Sequence, residues 1–238
     1  MAILGKKLGM TQWIDKEGKM LPVTVVEAGP CIVTAVKTQE KHGYKAVQIG
    51  FGDKFKLKNT PKAKSEFFNK QKLPVKQYLR EIKLTADENY EVGHQINVDV
   101  FKAGDLVDVR SRSVGKGFGG GVKRWHWAGG PGSHGSMFHR HIGSAGSNTY
   151  PGHSWRGLKM AGHLGDAMAT VQNIEVLKIE PEHNVMVLKG SVPGSENGLL
   201  YVRRSLKRPQ GVKPKMAPKV SEKKDPLKAS KKSAAGKK

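Results

Sequence analysis

Residues 109–165 concentrate the side chains that could act on or hold a ligand. They carry six of the nine histidines, three of the four tryptophans and eight Lys/Arg, with no Asp or Glu. His126, His134, His139, His141, His153 and His163 invite a zinc reading. Structural zinc sites, however, usually pair cysteine with closely spaced partners, and the single cysteine, Cys31, lies far upstream. No carboxylate is at hand in the segment to orient a ligating imidazole. Ser133-His134 and His153-Ser154 place hydroxyls beside imidazoles, but a nucleophilic triad also needs an acid to hold the base, and the segment offers none. Lys116-Gly117-Phe118-Gly119 matches the first half of an RNA-recognition signature; Gly120 and Gly121 then stand where a stacking aromatic is required. The glycine run 115–121 lacks the Gly-Lys-Ser/Thr ending of a phosphate loop. Enzyme, metal and nucleotide readings therefore fall away, and no cofactor, metal or catalytic residue is expected.

A different chemistry fits the same residues. Aromatics alternate with cations and imidazoles in Lys123-Arg124-Trp125-His126-Trp127, Phe138-His139-Arg140-His141 and His153-Ser154-Trp155-Arg156. Lys and Arg neutralise phosphates, and aromatic or guanidinium planes stack on splayed bases. Arg110, Arg112, Lys116, Lys123, Arg124, Arg140, Arg156 and Lys159 are the expected phosphate contacts. Trp125, Trp127 and Trp155, with His126 and His153, are the expected stacking groups. Fifteen glycines, Gly117 among them, would let the backbone approach RNA closely, and their density disfavours helix and strand. A solvated linker is normally poor in tryptophan; a segment that orders within RNA is not.

The rest of the chain is electrically different. Its 238 residues carry +22 formal charge, but residues 1–108 and 166–202 together hold 20 Lys/Arg against 18 Asp/Glu. The excess sits in the 109–165 segment, at +8, and in residues 203–238, at +12. A near-neutral body can fold without self-repulsion while its basic appendages await a polyanion. Nucleic acid leads, ahead of an anionic membrane surface. One cysteine permits no internal disulfide, and no apolar run reaches a signal or transmembrane length, which predicts a soluble, cytoplasmic protein.

Short β-branched runs make the body mainly β. Strands are expected at 22–28 (PVTVVEA), 31–38, 44–51, 95–101 and 106–109, then at 170–179, 184–190 and 198–202, with Gly29-Pro30 and Pro193-Gly194 as turns. Helical spacing at 61–71 and 75–82 predicts a helical excursion at about 61–84. The whole reads as a small antiparallel barrel formed by 1–108 and 166–202, interrupted by the 109–165 extension and followed by a basic, disordered tail at 203–238.

At this point the residues resemble a known family. Gly5-Lys6-Lys7-Leu8-Gly9-Met10-Thr11 looks like the opening of bacterial ribosomal L-three proteins, as does 22–30 with the following Cys31-Ile32-Val33-Thr34. Phe101, Asp108, Ser111, Ser113, Gly115-Lys116-Gly117, Gly120 and Arg124 fall at the spacing of that family's signature, and 157–165 resembles its later Gly-x-Lys-Met-Ala-Gly stretch. The resemblance runs from about Ile3 to Val202. It implies a translation-protein-type barrel and an extension that threads large-subunit rRNA toward the peptidyl-transferase centre. It further implies binding near the rRNA 3′ end early in assembly, beside ribosomal proteins fourteen and nineteen. The extension's tip would lie near 147–153, so Asn148 and Thr149 join the expected contacts. Thr149 stands where several bacterial relatives carry a methylated glutamine. The rival class is a basic RNA-binding protein outside the ribosome; a metal hydrolase using the histidines is a distant third.

Overall fold

The computed structural model describes residues 2–15, 17–53, 60–84 and 90–207. Every strand pairing among them is antiparallel, as the β-branched runs predict. Six strands close a barrel: β1 (Ala2–Ile14), β12 (Leu199–Arg204), β7 (Leu106–Arg112), β10 (Met168–Glu180), β11 (Val185–Lys189) and β2 (Met20–Ala28), in that order around the ring. Closure leaves this sheet without free edges and puts alternate side chains inside. On β7, Val107, Val109 and Ser111 point inward, while Arg110 and Arg112 face out. Ile3, Val26, Val176, Leu188, Leu200 and Val202 complete the inward set. Each such side chain contributes roughly 1.5–3 kcal/mol by leaving water.

Strand β1 is masked in the sequence by Gly5 and Gly9. Gly5 is there because β2 passes very close: a Cβ at this position would meet the Glu27 carbonyl oxygen at 2.6 Å. Register shifts between Lys7 and Gly9, and between Val171 and Ile174, add the curvature that a six-stranded ring needs.

Four further strands lie outside the barrel: β5 (Lys76–Lys83), β4 (Ala46–Asp53), β3 (Cys31–Lys37) and β6 (Gln95–Ile96), in that spatial order. The expectation of one barrel holding all the early strands is thus corrected. Strands β3 and β4 leave through the Gly29-Pro30 turn and build a second sheet. Its inner side chains Val33, Val47, Ile49 and Phe51 join the barrel residues in one continuous core. Helix α1 (Gln39–His42) and helix α2 (Lys62–Lys70) cap the connections.

The helical excursion is also shorter than expected. Only α2 is helical; residues 76–83 form β5, paired with β4 from Ala46↔Lys83 to Asp53↔Lys76. A run as short as VKQYLREI satisfies both periods, and the open edge of β4 decides between them. Similarly, 95–101 is a strand only at Gln95–Ile96 and then a 3-10 turn at Val98–Val100, though Ile96, Val98 and Phe101 are all buried.

Two boundaries move as well. Strand β7 runs to Arg112 and β10 starts at Met168, so the extension proper is 113–167. Strand β12 continues through Arg203 and Arg204, beyond the expected start of the tail at 203. Arg203 is held there because its Nη2 lies 3.4 Å from the buried Asp108 carboxylate, and Arg204 donates to the Val100 carbonyl at 2.7 Å. The tail from 208 to 238 lies outside the described residues.

Candidate nucleic-acid interface

The arm leaves the barrel as a continuation of two neighbouring strands. Ser113 and Ala167 exchange backbone and hydroxyl hydrogen bonds at 2.8–3.2 Å, and Lys116 N–H donates to the Leu164 carbonyl at 2.8 Å. Leu164 N–H returns a bond to Gly117, whose φ of +67° suits the turn-like path there. Strands β8 (Phe118–Gly119) and β9 (Gly162–His163) extend the ribbon. At its root the Arg112 guanidinium forks onto the Asp166 carboxylate, with Nη2 to Oδ2 at 2.9 Å and Nε against Oδ1. Both groups are exposed, so the pair adds little stability, at most about 1 kcal/mol; it aims the root.

Beyond the ribbon a single turn, α3 (Gly121–Trp125), is closed by His126 in the left-handed region at φ +60°. The Met160 carbonyl then ties the two limbs together. It accepts from Arg124 Nη1 and from the Trp125 indole N–H, each at 2.8 Å. Arg124 lies over the Trp125 ring, 5.0 Å from its centre, and Lys159 Nζ approaches the same ring at 5.8 Å. Trp127 turns onto the arm's own backbone: a Cβ on Gly121 would lie 1.9 Å from its ring, so only glycine fits beneath it. Further out, Gly130 N–H donates to the His139 carbonyl at 3.0 Å, and His153 Nδ1 lies 2.8 Å from the Pro151 carbonyl.

The sequence placed no regular structure in this segment. The arm has two short strands and a helical turn, and its glycines are sites of close approach as well as of freedom.

What the arm does not have is a core. From 128 to 161 no residue is buried. Met137 is 90% exposed, Tyr150 84%, Phe118 79% and Trp155 62%, a density of solvent-facing apolar groups that marks a surface awaiting cover. Trp127, Phe138, His141, Ile142 and Leu158 line an open cleft of about 510 Å³. Lys116, Lys123, Arg140, Arg156 and Lys159 are exposed along the same limbs, as are Asn148, Thr149 and His153 near the Tyr150-Pro151 turn.

Lys116, Gly117, Lys123, His126 and Trp127 lie along the ribbon and helical turn, and the other expected contacts fall into three groups. Arg124, Trp125 and Lys159 meet around Met160. Arg140, Asn148, Thr149, His153, Trp155 and Arg156 are spread over the outer arm. Arg110 and Arg112 stay behind on the barrel strand. Sequence reasoning missed Phe118, Met137 and Tyr150 as exposed apolar groups; their isolation amid glycines and polar residues was the available signal.

Among the described residues no three or more His, Cys, Asp or Glu come together where a metal ion could be held. Burial pushes the Cys31 thiol up to about 12, so it stays protonated, and its Sγ points to the Leu4 carbonyl at 3.4 Å. Among the described residues no helix is long and apolar enough to cross a membrane.

A closed antiparallel barrel that projects an aromatic-bearing arm, with six cations and a single acid, Asp166, at its root, defines a barrel-plus-extension protein whose arm is chemically suited to a polyanion. The family model for Ribosomal protein L3 matches residues 78–184, a span that contains the whole arm and the two barrel strands that root it. The large ribosomal subunit protein uL3 of Brachyspira pilosicoli is 46% identical over 208 residues, covering 87% of this chain and 95% of that protein. The chain belongs to the ribosomal protein L3 family.

Proposed function

We propose that the chain is a structural constituent of the large ribosomal subunit and acts there by binding rRNA, with no chemistry, cofactor or small-molecule substrate of its own. The observation that carries this reading is the arm: between Ser113 and Gly165 it holds six Lys/Arg and no acid, and from 128 to 161 no side chain is buried. Such a segment gains nothing from its own barrel and much from RNA, which supplies phosphates for its cations and bases for its aromatics. Arg110, Arg112, Lys116, Lys123, Arg124, Arg140, Arg156 and Lys159 take the phosphates. Trp125 and Trp155 offer ring faces, and Trp127 stiffens the turn that presents them.

Family membership supports the finer assignment. The barrel body sits at the subunit surface, and the arm runs inward with its tip at 147–153 toward the peptidyl-transferase centre. The protein binds near the 3′ end of the rRNA early in assembly, beside ribosomal proteins fourteen and nineteen, in the cytoplasmic ribosome. The basic stretch 203–238 adds long-range attraction to the same polyanion.

Two measurements test this. Affinity for a large-subunit rRNA transcript should fall steeply with salt, with a log–log slope approaching roughly 6–7 in magnitude if all eight cations release counterions. The protein should also co-migrate with the large subunit through a high-salt wash. A flat salt dependence rejects the arm as the interface, and loss from the particle on washing favours an RNA-binding role outside the ribosome.

A further inference from the structure

A second cationic site lies on the barrel wall, where Arg110 of the arm's set meets arginines from two sheets that the arm does not explain. Arg80, Glu81, Arg110, Thr170, Tyr201 and Arg203 line a cleft of about 360 Å³. Its floor is the outer face of β10, β7 and β12, where the register sets Arg110 directly between Thr170 and Tyr201. Arg203 follows two positions along β12. Arg80 arrives from β5, the edge strand of the other sheet.

The negative charges nearby are already engaged. Glu81 is bound by Lys37 Nζ at 2.6 Å and by the Tyr44 hydroxyl at 2.9 Å, and these two bonds hold its carboxyl below the usual range. Asp108 is buried and accepts the Asn173 amide at 3.1 Å, with only one nitrogen of Arg203 beside it. Arg80 spends one nitrogen on the neighbouring Leu79 carbonyl, at 3.0 Å. The Arg110 backbone is in the sheet, but its guanidinium has no hydrogen bond or ion pair among the described residues. Burial holds the Tyr201 phenol above its ordinary range, so its hydroxyl keeps a proton to donate.

Three arginines thus line one cleft, with most of their guanidinium donors uncommitted among the described residues. Like charges gathered this way cost free energy unless an anion joins them, and the guanidinium fork matches a phosphate bidentately. We propose that this cleft seats a phosphodiester of the same rRNA that the arm engages, so that the RNA bridges the barrel and the four-stranded sheet. RNA is favoured over an acidic peptide because the cleft is continuous with the root of the arm. Arg110 and Arg112 share the outer face of β7, roughly 7 Å apart along the strand, and Met168, paired with Arg112, also lines the cleft. The inference rests on the arm's reading as an RNA interface.

The test uses the full-length protein and a large-subunit rRNA transcript, with affinity measured across about 50–200 mM salt. Arg80→Gln should lower the log–log salt slope by about 0.7–0.9, the share of one phosphate contact. Arg80→Lys should restore the slope, since it returns the charge. Arg80→Met should act like Arg80→Gln and serves in its place if that variant folds poorly; Arg110 already belongs to the arm's own set of contacts and does not discriminate. An unchanged slope in both Arg80 variants overturns the proposal, as it would if the cleft received an acidic peptide instead. Arg156→Gln, run in parallel, separates the two failures. A lowered slope there with none for Arg80→Gln rejects the cleft alone, whereas no change in either rejects the arm as well.

Discussion

The barrel and the arm solve opposite problems with the same chain. In the barrel, apolar side chains face one another and polar ones find protein partners: Thr24 donates to the Gly190 carbonyl, Ser111 to the Leu199 carbonyl, and Lys7 to the carbonyls of Val192 and Gly194. In the arm, apolar rings and sulfurs face solvent, and most of the cations have no counter-ion among the described residues. One region is complete by itself; the other is half of an interface. Stability and binding should therefore respond to different residues, and the contrast can be broken from either side.

The largest effect is expected in the barrel. Leu188 is fully buried on β11 among core side chains. Leu188→Ala removes its methyl groups and leaves a cavity, a loss of about 2–5 kcal/mol. Thermal unfolding should show a large drop in Tm, while the salt slope of RNA binding by the folded protein stays as in the parent. A slope that falls together with Tm would mean that barrel and arm are not separable in this way.

How far this division was legible in the sequence follows from what each region is made of. Strands β2, β3, β4 and β11 announced themselves through β-branched runs between turn residues. Strand β1 did not, because Gly5 and Gly9 serve close packing and a register shift and carry no strand propensity of their own. That β3 and β4 belong to a second sheet was illegible, since strands of either sheet carry the same alternation and only pairing partners distinguish them. Residues 76–83 read as helix because pairing with β4, more than local preference, makes them a strand. The arm's character was plain from charge: eight cations and no acid across residues 109–165 is a property of composition. Its internal geometry was not. Nothing near Arg124 or Trp125 in the chain points to the Met160 carbonyl, some 35 residues on, that holds them both. The Arg80–Arg110–Arg203 cleft was hidden for the same reason, its members lying on two sheets.

The next effect belongs to the arm. Gly121 lies under the Trp127 ring, and a methyl group there would overlap that ring at 1.9 Å. Gly121→Ala must push Trp127 away and disturb α3 with the Arg124 and Trp125 contacts to Met160. Because those contacts preorganise the arm, RNA affinity should fall by roughly tenfold, about 1.4 kcal/mol, with Tm almost unmoved. A Tm shift comparable to that of Leu188→Ala would show that the arm is part of the cooperative fold.

The smallest effect is also the most discriminating, because it separates tryptophans that look equivalent in the sequence. Trp155 is 62% exposed, and its ring neighbour is His153, 6.1 Å away. Trp127 is half-buried and committed to the arm's own backbone. If Trp155 offers its face to a base, Trp155→Ala should cost about 1 kcal/mol or slightly more of RNA affinity, the lower end for one stacked base, without changing the salt slope, since no cation is lost. Trp127→Ala should instead raise protease sensitivity within 113–167 in the free protein, as the turn it braces loosens. Limited proteolysis of both variants without RNA, with titrations alongside, distinguishes a recognition ring from a bracing one. If Trp155→Ala loosens the free arm as Trp127→Ala does, both rings are internal supports, and the arm recognises RNA through charge alone.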